Sequence, residues 1–256
     1  MIRGLYTACS GMMVQMARQD VLANNLANVN TSGFKKDTVV SEDFSSLLIK
    51  RMGETKRRSD SVPQSVRPRE IGRLGTGTAI SQIATDHSTG SYKATENPFD
   101  LALGPDVYFM IETDGGIRYS RNGAFALSPD GILVNAKGQP VLGTEGYIEI
   151  EGVFAVDEIG NVIQEGEIIN TFDLVRFPDS SVLIKAGHDL FLVEDQEPEI
   201  ADNPQVLQGY LESSNVNAVK EMVDLITVVR AYEVLQKVIQ AQDETLDKVI
   251  NQAGSL

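Results

Sequence analysis

Both ends of the chain carry apolar side chains at helical spacing, while the middle consists of short strand-like runs punctuated by Gly, Asn-Gly and Asp-Gly. Ends and middle must therefore fold by different periodicities. Near the N-terminus Ile2, Leu5, Cys9, Met12, Met16, Gln19, Ala23 and Leu26 step by threes and fours, which sets them on one helix face in the register of a coiled coil. Near the C-terminus Met222, Leu225, Val229, Tyr232, Gln236, Ile239, Asp243, Leu246 and Ile250 repeat the step, with Gln236 and Asp243 as its polar interruptions. The expected fold is α+β: paired terminal α-helices of coiled-coil type flanking a central, irregular all-β domain. Its divisions are an N-terminal helix over 1–34, a short helix and basic extended connector over 35–74, the β domain over 75–212 and a C-terminal helix over 213–256.

The first helix should run from about Ile2 to Asn28, roughly 40 Å at 1.5 Å per residue. Asn28, Asn30, Thr31, Ser32 and Gly33 mark its end, with Gly33 free to take the left-handed conformation that closes a helix. Ser41 as an N-cap, Glu42 and Asp43 in a first turn, and Phe44, Leu47 and Leu48 on one face predict a second, short helix. From Gly75 to Tyr210 the pattern becomes β: Tyr108 to Ile111, Phe125 to Leu127, Ile132 to Val134, Tyr147 to Ile150, Val153 to Val156, Phe172 to Phe177, Val182 to Ile184 and Leu190 to Val193. Asp114-Gly115-Gly116, Asn122-Gly123, Asp130-Gly131 and Gly160-Asn161 supply the turns between them. The last helix starts after Asn215 or Asn217 as N-cap and ends at Gly254.

Charge and composition narrow the function. The formal net charge is -14, yet residues 50–73 carry eight basic and three acidic side chains, a local +5 that leaves -19 elsewhere. That balance argues against nucleic-acid binding. The same stretch is poor in apolar residues and contains Pro63 and Pro68, so it reads as a connector whose Arg57, Arg58, Arg67 and Arg69 could lie on an acidic neighbour. No apolar run approaches the roughly 20 residues that cross a bilayer, and the first residues lack the pattern of a cleaved signal. The lone Cys9 excludes an internal disulfide, and its place in the stripe predicts a buried thiol.

Chemistry-bearing motifs are sparse. His87, His188 and Cys9 cannot make up a four-ligand zinc site of the usual kind, and both histidines sit in turn-like contexts. There is no Gly-x-Ser-x-Gly elbow for a nucleophile. Gly72, Gly75 and Gly77 lack the Lys-Ser/Thr of a phosphate loop. Carboxylate pairs such as Asp86 with Glu96, or Asp100 with Asp106, would need a cleft to act on a glycoside. No cofactor is implied, and neither is an enzyme. A secreted β-rich binding or carbohydrate-acting module dimerised by its helices is the competing class, but the absence of Trp leaves poor material for stacking on sugars.

Four segments resemble one family. ANNLANVNTSGFKK, from Ala23 to Lys36, is similar to the N-terminal signature of bacterial flagellar rod and hook proteins, and the stretch from Leu211 to Asn251 to their C-terminal signature. NPFDLAL (Asn97 to Leu103) and YSRNGAFALSPDGILVNAKGQPVLG (Tyr119 to Gly143) resemble the family's core. The motif positions so implied are Asn24, Asn25, Asn28, Thr31, Gly33, Phe34, Asn97, Asp100, Arg121, Asn122, Gly123, Asn215, Asn217, Arg230 and Tyr232. Two departures stand out: Leu235 occupies a place where many members have Asn, and Gly104 to Phe109 replaces a more Gly-rich approach to a Phe-Phe pair.

The resemblance implies a structural subunit of the flagellar basal-body rod, outside the cytoplasmic membrane, exported unfolded by the flagellar type III apparatus without a cleaved signal. Its implied partners are further copies in a helical rod and other rod and hook subunits, with no nucleic acid and no membrane insertion. A chain without the large extra domain of hook subunits favours the rod branch, distal ahead of proximal. Physically, two long helices with one apolar stripe each could bury on the order of 1,000 Å² between them, worth roughly 25 kcal/mol before the entropy of ordering. Asn24, Asn25, Asn28 and Asn30 weaken the first helix's end, and the polar interruptions in both stripes predict a seam completed by other copies.

Overall fold

The end periodicities fold as two long helices, α1 (Ile2–Ala27) and α2 (Ala218–Ala253). The structure, a computed structural model, describes residues 2–43, 46–51, 69–187, 189–193 and 196–253. α1 stops because Asn28 turns back on it. The Asn28 N–H donates to the carbonyls of Asn24 and Asn25 at 3.1 and 3.2 Å, and its side-chain amide reaches Asn24 O at 2.9 Å, so last-turn carbonyls are satisfied from outside the helix. Gly33 lies beyond this end and is not the residue that closes it. α2 is capped by Asn217: its Oδ1 accepts the Lys220 N–H at 3.1 Å and its carbonyl the Glu221 N–H at 3.0 Å. Gly254 is outside the described residues.

Chain contacts separate two units. The first comprises Met1–Leu22, Thr38–Ile83 and Val223–Leu256. Here strand β1 (Asp37–Asp43) pairs with a later strand, and β2 (Ser46–Arg51) pairs antiparallel with β3 (Arg69–Gly75), Ser46 opposite Gly75 and Arg51 opposite Arg69. β1's partner is β4 (Thr78–Thr85). The short helix expected from Ser41 is therefore replaced by strand. Thr38, Val39 and Val40 lead into Ser41, and β-branched residues able to pair with a neighbouring strand outweigh a local capping signal. The basic stretch likewise begins and ends as paired strand, at Lys50, Arg51, Arg69 and Arg73. Arg57, Arg58 and Arg67 lie outside the described residues.

The second unit comprises Ala23–Asp37 and Ala84–Met222. Its strands are β5 (Tyr92–Ala94), β6 (Leu101–Ala102), β7 (Val107–Thr113), β8 (Gly116–Ser120), β9 (Ala126–Leu127), β10 (Leu133–Val134), β11 (Leu142–Gly143), β12 (Gly146–Tyr147) and β13 (Ala155–Val156). They continue as β14 (Asn161–Gln164), β15 (Glu167–Thr171), β16 (Leu174–Arg176), β17 (Ile184–Lys185), β18 (Leu190–Leu192), β19 (Glu199–Ile200), β20 (Leu207–Gln208) and β21 (Tyr210–Glu212). A six-stranded sheet in the order β17-β18-β8-β7-β16-β19 is its largest. β7 supplies side chains to both faces by strict alternation. Val107 and Phe109 join a cluster with Phe125, Leu133, Val141, Ile148 and Phe172, while Tyr108 and Met110 join one with Tyr119, Phe177 and Phe191.

One predicted strand changes character. Val182 ends a 3₁₀ turn, Ser180–Val182, because Asp179 Oδ1 accepts the Ser181 N–H at 2.9 Å, the turn chemistry of a Pro-Asp-Ser-Ser sequence.

Candidate assembly site

The deepest polar feature of the second unit is a clasp of three charges. Arg121 donates Nε and Nη2 to Glu212 Oε2 at 2.9 and 2.6 Å, and Nη1 to the carbonyls of Gly104 and Val107 at 2.8 Å each. Lys35 Nζ donates to the other carboxylate oxygen, Glu212 Oε1, at 2.7 Å and to Ser88 O at 2.7 Å. The Gly90 N–H adds a second donor to Oε1 at 2.8 Å. All three charged residues are 1–2% exposed. Burial, followed by the nearby Arg121 guanidinium, lowers the Lys35 pKa, while Glu212 opposes both.

Gly33 shows how closely the N-terminal segment fits this clasp. It has φ +68°, and a Cβ there would come 2.5–2.7 Å from the backbone of Arg121 and Asn122, closer than real contacts allow. Its N–H donates to Glu212 O at 2.8 Å. The left-handed glycine thus serves a close backbone approach. Phe34 is buried beneath Lys185, whose Nζ lies 4.2 Å from the ring centroid and 2.9 Å from Asp37 Oδ2.

The remaining motif residues pin loops and strand ends. Asn25, buried near the end of α1, both donates to Asp37 O and accepts the Asp37 N–H at 2.9 Å, and also donates to Glu221 Oε2 at 3.3 Å. Thr31 Oγ1 donates to Asn28 Oδ1 at 3.2 Å, and Asn24 contributes its carbonyl while its side chain is exposed. Asn97 donates to Asp100 Oδ1 at 3.1 Å, and Asp100 O receives the Gly209 N–H at 2.8 Å. Asn122 Nδ2 donates to the Asp189 carboxylate, and Gly123 allows Leu101 to approach so closely that a Cβ would overlap its carbonyl. Asn215 accepts the Lys36 N–H and donates to Asp86 O, both at 2.8 Å, which explains why Asn217 and not Asn215 is the cap. Arg230 is exposed and Tyr232 half-buried on α2.

The helices present a different picture. In the first unit the inward face of α1 is Gly4, Ala8, Gly11, Gln15 and Arg18, one position earlier than the expected stripe, and that of α2 passes through Val228, Ala231, Leu235 and Gln242, again one position earlier. A Cβ on Gly11 would sit 3.2 Å from Leu235 Cδ1, and one on Gly4 would overlap the Gln242 amide. The absence of a side chain at Gly4 and Gly11 leaves room on α1 for the ends of the long Gln242 and Leu235 side chains of α2, and dispersion contacts reward that fit. Gln242 Oε1 is buried there without a hydrogen-bond partner.

The expected stripes are left partly uncovered. Leu5, Met12, Leu26, Leu225, Val229, Tyr232, Ile239 and Leu246 are half-buried, whereas Cys9, Met16, Gln19, Ala23, Met222, Gln236, Asp243 and Ile250 are exposed. The side chain of Ile2 is not described. Cys9 is thus not the buried thiol its spacing predicted, because the rotation places it on the outer line Tyr6, Cys9, Met13 and Met16, of which Tyr6, Met13 and Met16 are 58–68% exposed. Beside that line an apolar groove of about 960 Å³ is walled by Tyr6, Ala8, Met13, Val14, Ile80, Leu235 and Val238. Thr7 Oγ1 donates to Thr76 O at 3.0 Å and the Thr78 N–H to Ser10 Oγ at 3.3 Å, fixing the strand connection along α1.

His87 is half-buried in a loop: it packs 5.3 Å from the Phe191 ring and its Nδ1 lies 3.0 Å from Tyr108 Oη, while His188 lies outside the described residues. Burial, with Lys35, Lys185 and Arg121 nearby, lowers its pKa to about 4. Asp86 pairs with Lys36 at 3.4 Å, and Asp100 is taken up by its Asn97 turn. No group of three or more His, Cys, Asp or Glu side chains among the described residues could hold a metal ion, and no helix there is long and apolar enough to cross a membrane. Lys35 and Glu212 were not singled out by sequence. Both stand inside the signature strings, but nothing in those strings separates them from charged neighbours such as Lys36.

Comparison with known proteins bears on all these segments. A profile described as "Flagella basal body rod protein" matches residues 5–35, "Flagellar hook protein FlgE/F/G D1 domain" matches 104–170, and "Flagellar basal body rod FlgEFG protein C-terminal" matches 207–253. The chain is 33% identical to the flagellar hook-basal body complex protein FlhO of Bacillus subtilis over the whole of both chains. It is 32% identical to the flagellar basal-body rod protein FlgG of Buchnera aphidicola subsp. Baizongia pistaciae, covering 97% of this chain and 99% of that one, and 31% identical to FlgF of Caulobacter vibrioides over the whole of both. The clasp joins residues from all three matched segments or their immediate flanks, and the chain belongs to the flagellar basal-body rod protein family, as a structural subunit of the flagellar basal body and not an enzyme.

Proposed function

We propose that this chain is a distal-rod subunit that polymerises through its terminal helices into the hollow axial shaft driving motility. The observation that carries the reading is the apolar face left open on both helices of a single copy: Tyr6, Met13 and Met16 on α1, and Val223, Ile226 and Val234 on α2. Such a face is costly in water and gains its stability when a neighbouring copy covers it. A head-to-tail contact that does not close on itself propagates as a helical filament, the form a rod requires. Near-complete alignment with relatives named FlgG supports a rod subunit over a hook subunit.

In this reading that open face and the half-buried stripe residues Leu5, Met12, Leu225, Val229, Ile239 and Leu246 together form the seam, with neighbouring rod and hook subunits as further partners. Arg57, Arg58, Arg67 and Arg69 meet the acidic surface of an adjacent copy. Export through the flagellar type III apparatus, in an unfolded state, delivers the subunit. Met13→Asp and Met16→Asp test the seam. Both are expected to give folded, soluble subunits that form no rods and leave cells non-motile, because a charge buried in the seam has no partner. Normal rods from either variant overturn the helix-face reading. Restored motility in a strain lacking its distal-rod subunit, but not in one lacking its proximal-rod subunit, tests the distal placement.

A further inference from the structure

Among the described residues, Glu212 is the carboxylate that pairs with both buried cations, Lys35 and Arg121. The cations lie far upstream of it, so in any N-to-C delivery of the chain they emerge long before their counter-charge. A buried charge without its partner is among the most destabilising features a fold can carry. The same late segment completes the backbone pairing as well: β20 closes on β6, β21 closes on β5, and Glu212 O takes the Gly33 N–H. We infer that Glu212 is a folding latch: the second unit cannot close around Lys35 and Arg121 until the C-terminal stretch arrives, and a partly delivered chain stays open. The latch stands on the clasp alone. Its use, keeping an exported chain threadable, rests on the function proposed above.

The full chain supplies the test. Glu212→Gln preserves shape and removes the charge, and should lower the folding equilibrium constant of the second unit by roughly 100-fold or more. Denaturant unfolding reads that loss, and amide exchange should accelerate in β7 and β8 as well as near residue 212. Lost packing could mimic this, so Lys35→Met is added. In the native background Lys35→Met destabilises. In the Glu212→Gln background it stabilises, because it removes an uncompensated cation, and a reversal of sign is not expected of packing alone. If Glu212→Gln does not fold, recovery of folding in the double variant carries the same signature. Ribosome-held chains of increasing length give the order: protease resistance of the second unit should appear once residue 212 has emerged, and not in Glu212→Gln. Resistance before residue 207 emerges, or equal destabilisation by Lys35→Met in both backgrounds, overturns the latch. These readouts concern folding only, so a chain that latches but forms no rods counts against the assembly reading instead.

Discussion

The two units of this chain spend their apolar residues in opposite ways. In the first unit Ala8, Val14, Val39 and Val228 are the buried apolar side chains among the described residues, while Tyr6, Met13, Met16, Val223, Ile226 and Val234 stand in solvent. In the second, aromatic and branched residues fill both faces of the sheet, and three of its charges, Lys35, Arg121 and Glu212, are buried and paired. One unit is finished within a single chain, and the other leaves an apolar face that, under the proposed function, a neighbouring copy covers. If the proposed function holds, stability and assembly are carried by separate residues, so that each can be altered without the other.

The largest effect should come from the finished unit. Phe109→Ala removes a fully buried ring that contacts Phe125 and Phe172 edge-to-face, and should cost about 3–5 kcal/mol in denaturant unfolding. Gly33→Ala forces a side chain onto the Arg121 backbone at positive φ and should cost on the order of 2 kcal/mol by the same measurement. An unchanged midpoint in either variant would break the claim that this unit is closely packed. pH offers a gentler probe. Burial and neighbouring cations hold the His87 pKa at about 4, below its ordinary 6.5, so the unfolded chain takes up a proton first as pH falls. The His87 contribution is therefore full above pH 6.5 and is lost as pH falls toward 4. His87→Gln should flatten that slope in the upper half of the window, and an unaltered slope would show that other groups set it.

Smaller effects fall on the helices. Asn217→Ala removes the cap of α2 and should cost about 1 kcal/mol, read by thermal unfolding. Met16→Ala should change the stability of the isolated subunit by no more than about 0.5 kcal/mol, yet weaken polymerisation measured by sedimentation. A clear loss of stability without loss of polymer would reverse the comparison.

Much of this architecture was legible in the sequence. The helices and most strands follow from periodicity and turn chemistry, since 3.6-residue and two-residue spacing are imposed by local geometry. The inward helix face was not. Hydrophobic spacing marks Met12 and Leu225, but Gly4 and Gly11 win the contact with α2 because smallness, invisible to a hydrophobicity pattern, makes room for the Gln242 and Leu235 side chains. The strands at Asp37–Asp43 and Ser46–Arg51 were hidden for another reason: their pairing partners lie at the far end of the basic stretch, and no local signal reports them. In the clasp, Arg121 and Gly33 stood out through their motifs. Lys35 and Glu212 did not, because a charge buried by tertiary contact looks in sequence like any surface charge.

Cys9 tests the central claim without altering the protein. It is the single thiol of the chain and lies exposed on the outer line of α1. Its rate of modification by a thiol reagent should be compared in the isolated, folded subunit and in assembled rods. The account predicts rapid labelling in the subunit and strong protection in the rod. Equal labelling in both would contradict it, because the open helix face would then remain in water after assembly.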